Sequence, residues 1–168
     1  MQFLTQIQNG IYIDEPKLHL PWDTSEYLLI MKCIDFAHYS HDRITHKLKK
    51  IKLSDIFFDL SITYWRQDQT IDRFMLQNRY INNYEEEFLD HIKMIQNILG
   101  PGKKSSTAWE SVKQFPIYTW DLGEIIIQQR TFEHFGLIEK IEISKKTYFE
   151  GTTDYHGEYL RKIDYFKL

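Results

Sequence analysis

The sequence predicts an α+β domain in which two main helices pack on a largely antiparallel sheet. Three observations lead there. Residues 53–65, LSDIFFDLSITYW, set Ile56, Phe58, Leu60, Ile62 and Tyr64 against Phe57, Asp59, Ser61, Thr63 and Trp65, a two-residue period that describes a strand with one buried face. Residues 83–102 carry helix start and stop signals around an apolar stripe. A capped helix followed by strands occurs twice, over 23–79 and 83–146, as a repeat of architecture with little residue identity.

In chain order, FLTQIQNGIYI (3–13) reads as one or two short strands around the turn signal Asn9-Gly10. PWDTSE (21–26) announces the first helix. Asp23 is placed to cap it and Glu26, three residues on, completes a capping box. Tyr27, Ile30, Met31 and Ile34 then recur at helical spacing as its apolar face. The strand at 53–65 follows, then a polar turn, RQDQT, and a returning strand at 71–79.

For the second helix Asn83 caps, Glu86 completes the box, and Glu85 to Glu87 sit where the helix dipole favours negative charge. Phe88, Leu89, Ile92, Ile95 and Leu99 form its stripe, and Gly100-Pro101-Gly102 stops it. Beyond a loop, Asp121-Leu122-Gly123 reads as a hairpin turn with Gly at a positive-φ position. Phe135-Gly136 marks another turn before the alternating strand 137–146. The expected organisation is a single domain, 1–168, with halves at 1–80 and 81–146 and an aromatic C-terminal tail at 147–168.

Composition narrows the function. The chain has 168 residues, 42% hydrophobic and 15% aromatic, the profile of a packed domain and not of a disordered chain. Its formal charge of -3 argues against general binding to nucleic acid, although Lys47, Lys49, Lys50 and Lys52 make a local basic run. A single cysteine excludes an internal disulfide and a multi-cysteine zinc site. Cys33 lies mid-helix beside the apolar stripe and reads as a packed residue. The opening MQFLTQIQNG lacks the basic and apolar segments of a signal peptide, and no apolar run approaches a membrane span, so a cytoplasmic, membrane-free protein is expected.

One stretch invites a metal reading. AHYSHDRITH (37–46) gathers three of the seven histidines, and on a helix His38 and His41 would stand about 60° apart with Asp42 close by. Two imidazoles and a carboxylate are enough for a zinc site with an open position. Yet no HExxH-type pattern supplies a general base, and Arg43 with the following lysines is poor company for a cation, so a solvated, fraying helix end is preferred. Phosphate-loop, dinucleotide-binding and GxSxG patterns are absent, and no cofactor is called for.

With no strong catalytic motif, exposed rings and carboxylates become the candidates for partner contact. Trp65 falls on the polar face of its strand, Trp109 in the long loop, and Trp120 just before the hairpin turn. Glu85, Glu86, Asp121 and Glu124 are the accompanying acidic residues.

The segment ILGPG…PIYTWDLGEIIIQQRTFEHFGLIEKIEI resembles the small α+β immunity proteins of bacterial polymorphic toxin systems. The resemblance covers roughly residues 83–146 and is carried by Leu99-Gly100, Trp120, Gly123 and Phe135-Gly136. It implies a cytoplasmic, non-enzymatic protein that binds and blocks a cognate toxin, and a mildly acidic inhibitor suits a basic toxin domain. Two other readings stand beside it: a small metal-dependent enzyme using His38, His41 and Asp42, and a structural subunit docking through the aromatic tail.

Overall fold

The computed structural model describes residues 6–33, 36–39, 43–65, 70–79, 84–105, 115–133 and 137–146. After a 3-10 turn at Ile7–Asn9 come β1 (Ile11–Ile13) and β2 (Leu18–Leu20), then α1 (Glu26–Cys33). β3 (Phe36–Tyr39), β4 (Arg43–Leu53), β5 (Ile56–Trp65) and β6 (Thr70–Arg79) follow. The second part holds α2 (Tyr84–Leu99), β7 (Lys103–Ser105), β8 (Ile117–Asp121), β9 (Ile125–Glu133) and β10 (Leu137–Lys145). The fold is α+β, as the alternation of periods predicts.

β1 and β2 form a small hairpin, and the other strands form one sheet in the order β3-β4-β5-β6-β10-β9-β8-β7. Every neighbouring pair in it is antiparallel. The two helix-and-strand segments meet where β6 pairs with β10, Phe74 standing opposite Ile143 and Leu76 opposite Ile141.

One face of this sheet is the apolar floor of the core. Leu48 and Ile51 of β4, Leu60 and Ile62 of β5, Phe74 and Leu76 of β6, Ile141 and Ile143 of β10 and Ile127 of β9 are all buried. α2 covers it with Phe88, Ile92 and Ile95, at the spacing of one helical stripe. Leu89, expected in that stripe, lies one residue off it and is exposed. Gly100 ends the helix at φ +80° and donates to Gln96 O at 2.9 Å.

The N-terminal segment closes the other end of the core. Trp22 packs on Phe74 with ring centroids 4.7 Å apart and donates from Nε1 to Ile7 O at 2.8 Å. Tyr64 donates its hydroxyl hydrogen to Thr24 O at 2.8 Å. A buried ring with a polar tip needs such a partner, and both fasten the approach to α1 onto the sheet.

Several expectations are corrected. Asn9-Gly10 joins a 3-10 turn to β1 and does not turn one strand into another. The first helix starts at Glu26, where the Leu28 N–H points to Ser25 Oγ at 3.4 Å; Asp23 is exposed, and Glu26 turns to His46 instead of closing a capping box. β10 does not alternate between a wet and a dry face. It lies mid-sheet, and residues pointing both ways from it, Ile141, Glu142, Ile143 and Ser144, are buried. The expected Asp121–Gly123 turn is present: Gly123 has φ +89° and its N–H donates to Asp121 Oδ1 at 2.9 Å.

Candidate functional site

The histidine-rich stretch is not helical where it is described. α1 ends at Cys33, and β3 pairs with β4 so that His38 stands opposite Thr45 and Ala37 opposite His46. The helical angles that would set His38 beside Asp42 therefore do not apply, because pairing with β4 draws the chain into a strand. His41 and Asp42 lie outside the described residues. Among the described residues no three His, Cys, Asp or Glu side chains gather as metal ligands.

His46 is instead fully buried beneath α1. Its Nε2 is 3.3 Å from Glu26 Oε1, an electrostatic contact without hydrogen-bond alignment, and its ring meets Tyr64 edge-on at 5.7 Å. Burial lowers the imidazole's pKa below 6.5, while the Glu26 carboxylate pulls it back up. Burial, with Glu26 adding, pushes the Tyr64 phenol well above its ordinary value, so it stays a neutral donor to Thr24.

The aromatic and acidic candidates are scattered. Trp120 is buried, with Nε1 donating to Gly100 O at 3.0 Å, and a Cβ placed on Gly102 would lie 2.6 Å from its ring. It is a core ring tied to the α2 terminus and has no face to offer a partner. Trp65 ends β5 opposite Thr70, and Trp109 lies outside the described residues. Glu85 and Glu86 are exposed in the first turn of α2, and Asp121 and Glu124 are exposed at the β8–β9 turn. Asp121 serves that turn and holds Lys146 Nζ at 3.2 Å.

No protein-family model, curated protein or solved structure matches this chain.

The surface with most to offer a partner is the one that periodicity marks as the apolar face of the first helix, Tyr27, Ile30, Met31 and Ile34, of which Ile34 lies outside the described residues. Tyr27, Ile30 and Met31 do share a helical face, yet it points outward: they are 68%, 52% and 67% exposed, and Leu28 beside them is 46% exposed. The inward line of α1 is set by Glu26 against His46 and by Leu29, which is fully buried. Beside Leu28 runs an open groove of about 540 Å³, lined also by Lys17, His19, Pro21, Asp23 and Thr24. His19 is stacked on Tyr12 at 3.8 Å. Local sequence carries no signal for this, since a carboxylate ordinarily marks the wet side of a helix; only the contact of Glu26 with buried His46 turns Tyr27, Ile30 and Met31 outward.

Proposed function

We propose that this chain is a non-enzymatic protein-binding module that engages its partner through the outer face of α1. The carrying observation is the exposure of Tyr27, Leu28, Ile30 and Met31 on one short helix, fastened to the sheet by Leu29, Glu26 and the Thr24–Tyr64 bond. Large apolar side chains grouped on a rigid element are what the centre of a protein interface needs. The groove beside Leu28 gives that face a recess with both charged and apolar walls.

Inhibition by occlusion requires a firm surface and no catalytic group. The immunity-protein resemblance supplies the class: a bacterial cytoplasmic inhibitor of a toxin, with a basic toxin domain suiting the chain's formal charge of -3. The halves are also read as one helix-plus-strands unit used twice. The strand order, which ascends from β3 to β6 and then descends from β10 to β7, supports that reading.

The test compares capture of partners from the source lysate by the wild-type chain and by Ile30→Asp/Met31→Asp, with Leu89→Asp as an exposed control on α2. Loss of one stoichiometric partner in the α1 variant alone, with stability changed by about 0.5 kcal/mol or less per exposed site, supports the reading. The captured protein's activity should fall when the wild-type chain is added back. Equal capture by both chains, or no partner at all, overturns it.

A further inference from the structure

The sheet face turned away from the helices carries a cluster of donors that the protein-binding reading does not use. Strand register places Arg73 of β6 opposite Ser144 of β10, Lys140 of β10 opposite Arg130 of β9, and Glu142 opposite Gln128. Alternation along each strand sets all six on that same face. The hub is the Glu142 carboxylate: Oε1 is 3.5 Å from Arg73 Nη1 and 3.4 Å from Ser144 Oγ, and Oε2 is 3.8 Å from Arg130 Nη2. These contacts are longer than the roughly 2.7–2.9 Å of a tight charge-assisted bond, and Arg73 Nη2 also points to Thr63 Oγ1 at 3.5 Å.

The cluster runs from a buried end to a partly exposed one. Gln128 is 2% exposed and its Nε2 has no hydrogen-bond partner, whereas the Arg130 side chain keeps 33% of its surface. A buried amide donor left unmet is costly and points to an acceptor that enters from outside. Burial, with Arg130 next and Arg73 adding, lowers the Lys140 amine to about 8, and Glu142 opposes the shift. An incoming negative group would relieve both the amide and the crowded cations.

We propose that this face binds a small oxyanion, the carboxylate or phosphate group of a small molecule, held by Gln128 Nε2, Arg130 and Lys140, with Arg73 and Glu142 bracing the site. Gln128 lies at the buried end of the cluster and Arg130 at its partly exposed end. Bound oxyanion favours the protonated amine, so Lys140 becomes a poorer nucleophile when the site is filled.

The experiment titrates inorganic phosphate and, separately, succinate into the full-length chain by calorimetry. In parallel, the acetylation rate of Lys140 near pH 8 is followed by peptide mass spectrometry, with exposed Lys47 and Lys104 as internal references. Expected is saturable one-site binding of at least one probe at millimolar or lower concentration, with Lys140 protected roughly fivefold and the reference lysines unchanged. Arg130→Gln and Gln128→Ala should each weaken binding roughly tenfold, the worth of one hydrogen bond to a charged group. Arg130 is partly exposed, so its variant remains informative if Gln128→Ala fails to fold. Binding of one probe alone assigns the group as phosphate or carboxylate. No saturable binding of either with unchanged Lys140 labelling, or binding indifferent to Arg130→Gln, overturns the proposal.

Discussion

His91 on α2 and Glu139 on β10 meet at 2.7 Å between Nδ1 and Oε2, both buried between helix and sheet. The other carboxylate oxygen accepts from Gln129 Nε2 on the neighbouring strand. A polar pair in an apolar interface ties α2 to one place on the sheet, because a slid or rotated helix would lose the contact while keeping much of its hydrophobic burial.

This makes a prediction about coupling. His91→Leu or Glu139→Leu alone deprives a buried polar group of one of its partners and should cost on the order of 3 kcal/mol. The double variant should cost less than the sum of the two by at least about 1 kcal/mol. Urea unfolding of the four chains closes the cycle; strictly additive losses would mean that the pair contributes by packing alone.

Two glycines with positive φ should respond very differently to the same change. A Cβ on Gly10, at φ +123°, would stand 2.2 Å from Leu20 O and 2.6 Å from Pro21 Cα, both backbone atoms that cannot swing away. Gly123, at φ +89°, faces open space. Gly123→Ala should therefore cost only the conformational strain, about 1 kcal/mol, while Gly10→Ala adds a backbone displacement and should cost about 3 kcal/mol or more. Thermal unfolding of the two variants gives the comparison, and similar losses would show that the N-terminal segment yields easily.

How far these features were legible in the sequence depends on the range of the interactions that create them. The stop at Gly100 and the turn at Asp121–Gly123 are local, and each is present as expected. The one-faced alternation of 56–65 holds where Phe57 and Asp59 are exposed between Phe58 and Leu60. Ser61 and Thr63, expected on the wet face, are buried with Ile62 and Tyr64 because β5 lies inside the sheet. The stripe Tyr27, Ile30 and Met31 is local too, but periodicity reports that a face exists and not what it meets; the anchoring of Glu26 on His46 decides that. β3 takes its strand form from pairing with β4, a contact that helical spacing rules do not see. The donor cluster is less legible still. Arg73 and Glu142 are 69 residues apart, and only the β6–β10 pairing makes them neighbours.

His46 provides a pH test of the α1 anchor. Its imidazole is fully buried, burial holds its pKa below the ordinary 6.5, and among the described residues the Glu26 carboxylate and the neutral Tyr64 phenol face it. Between the folded pKa and 6.5 the unfolded chain binds more protons than the folded one, so stability rises with pH across that window. The contribution is fully present above 6.5 and is lost as pH falls through the folded value. Replacing Glu26 with Gln removes the influence that holds the folded pKa up, widens the window and should steepen the loss on acidification. His46→Gln should flatten it, leaving only the slope from other groups. Denaturant midpoints measured for the three chains from neutral pH down to about 5 give the comparison. A wild-type slope no steeper than that of His46→Gln would mean that the imidazole takes up its proton without disturbing α1.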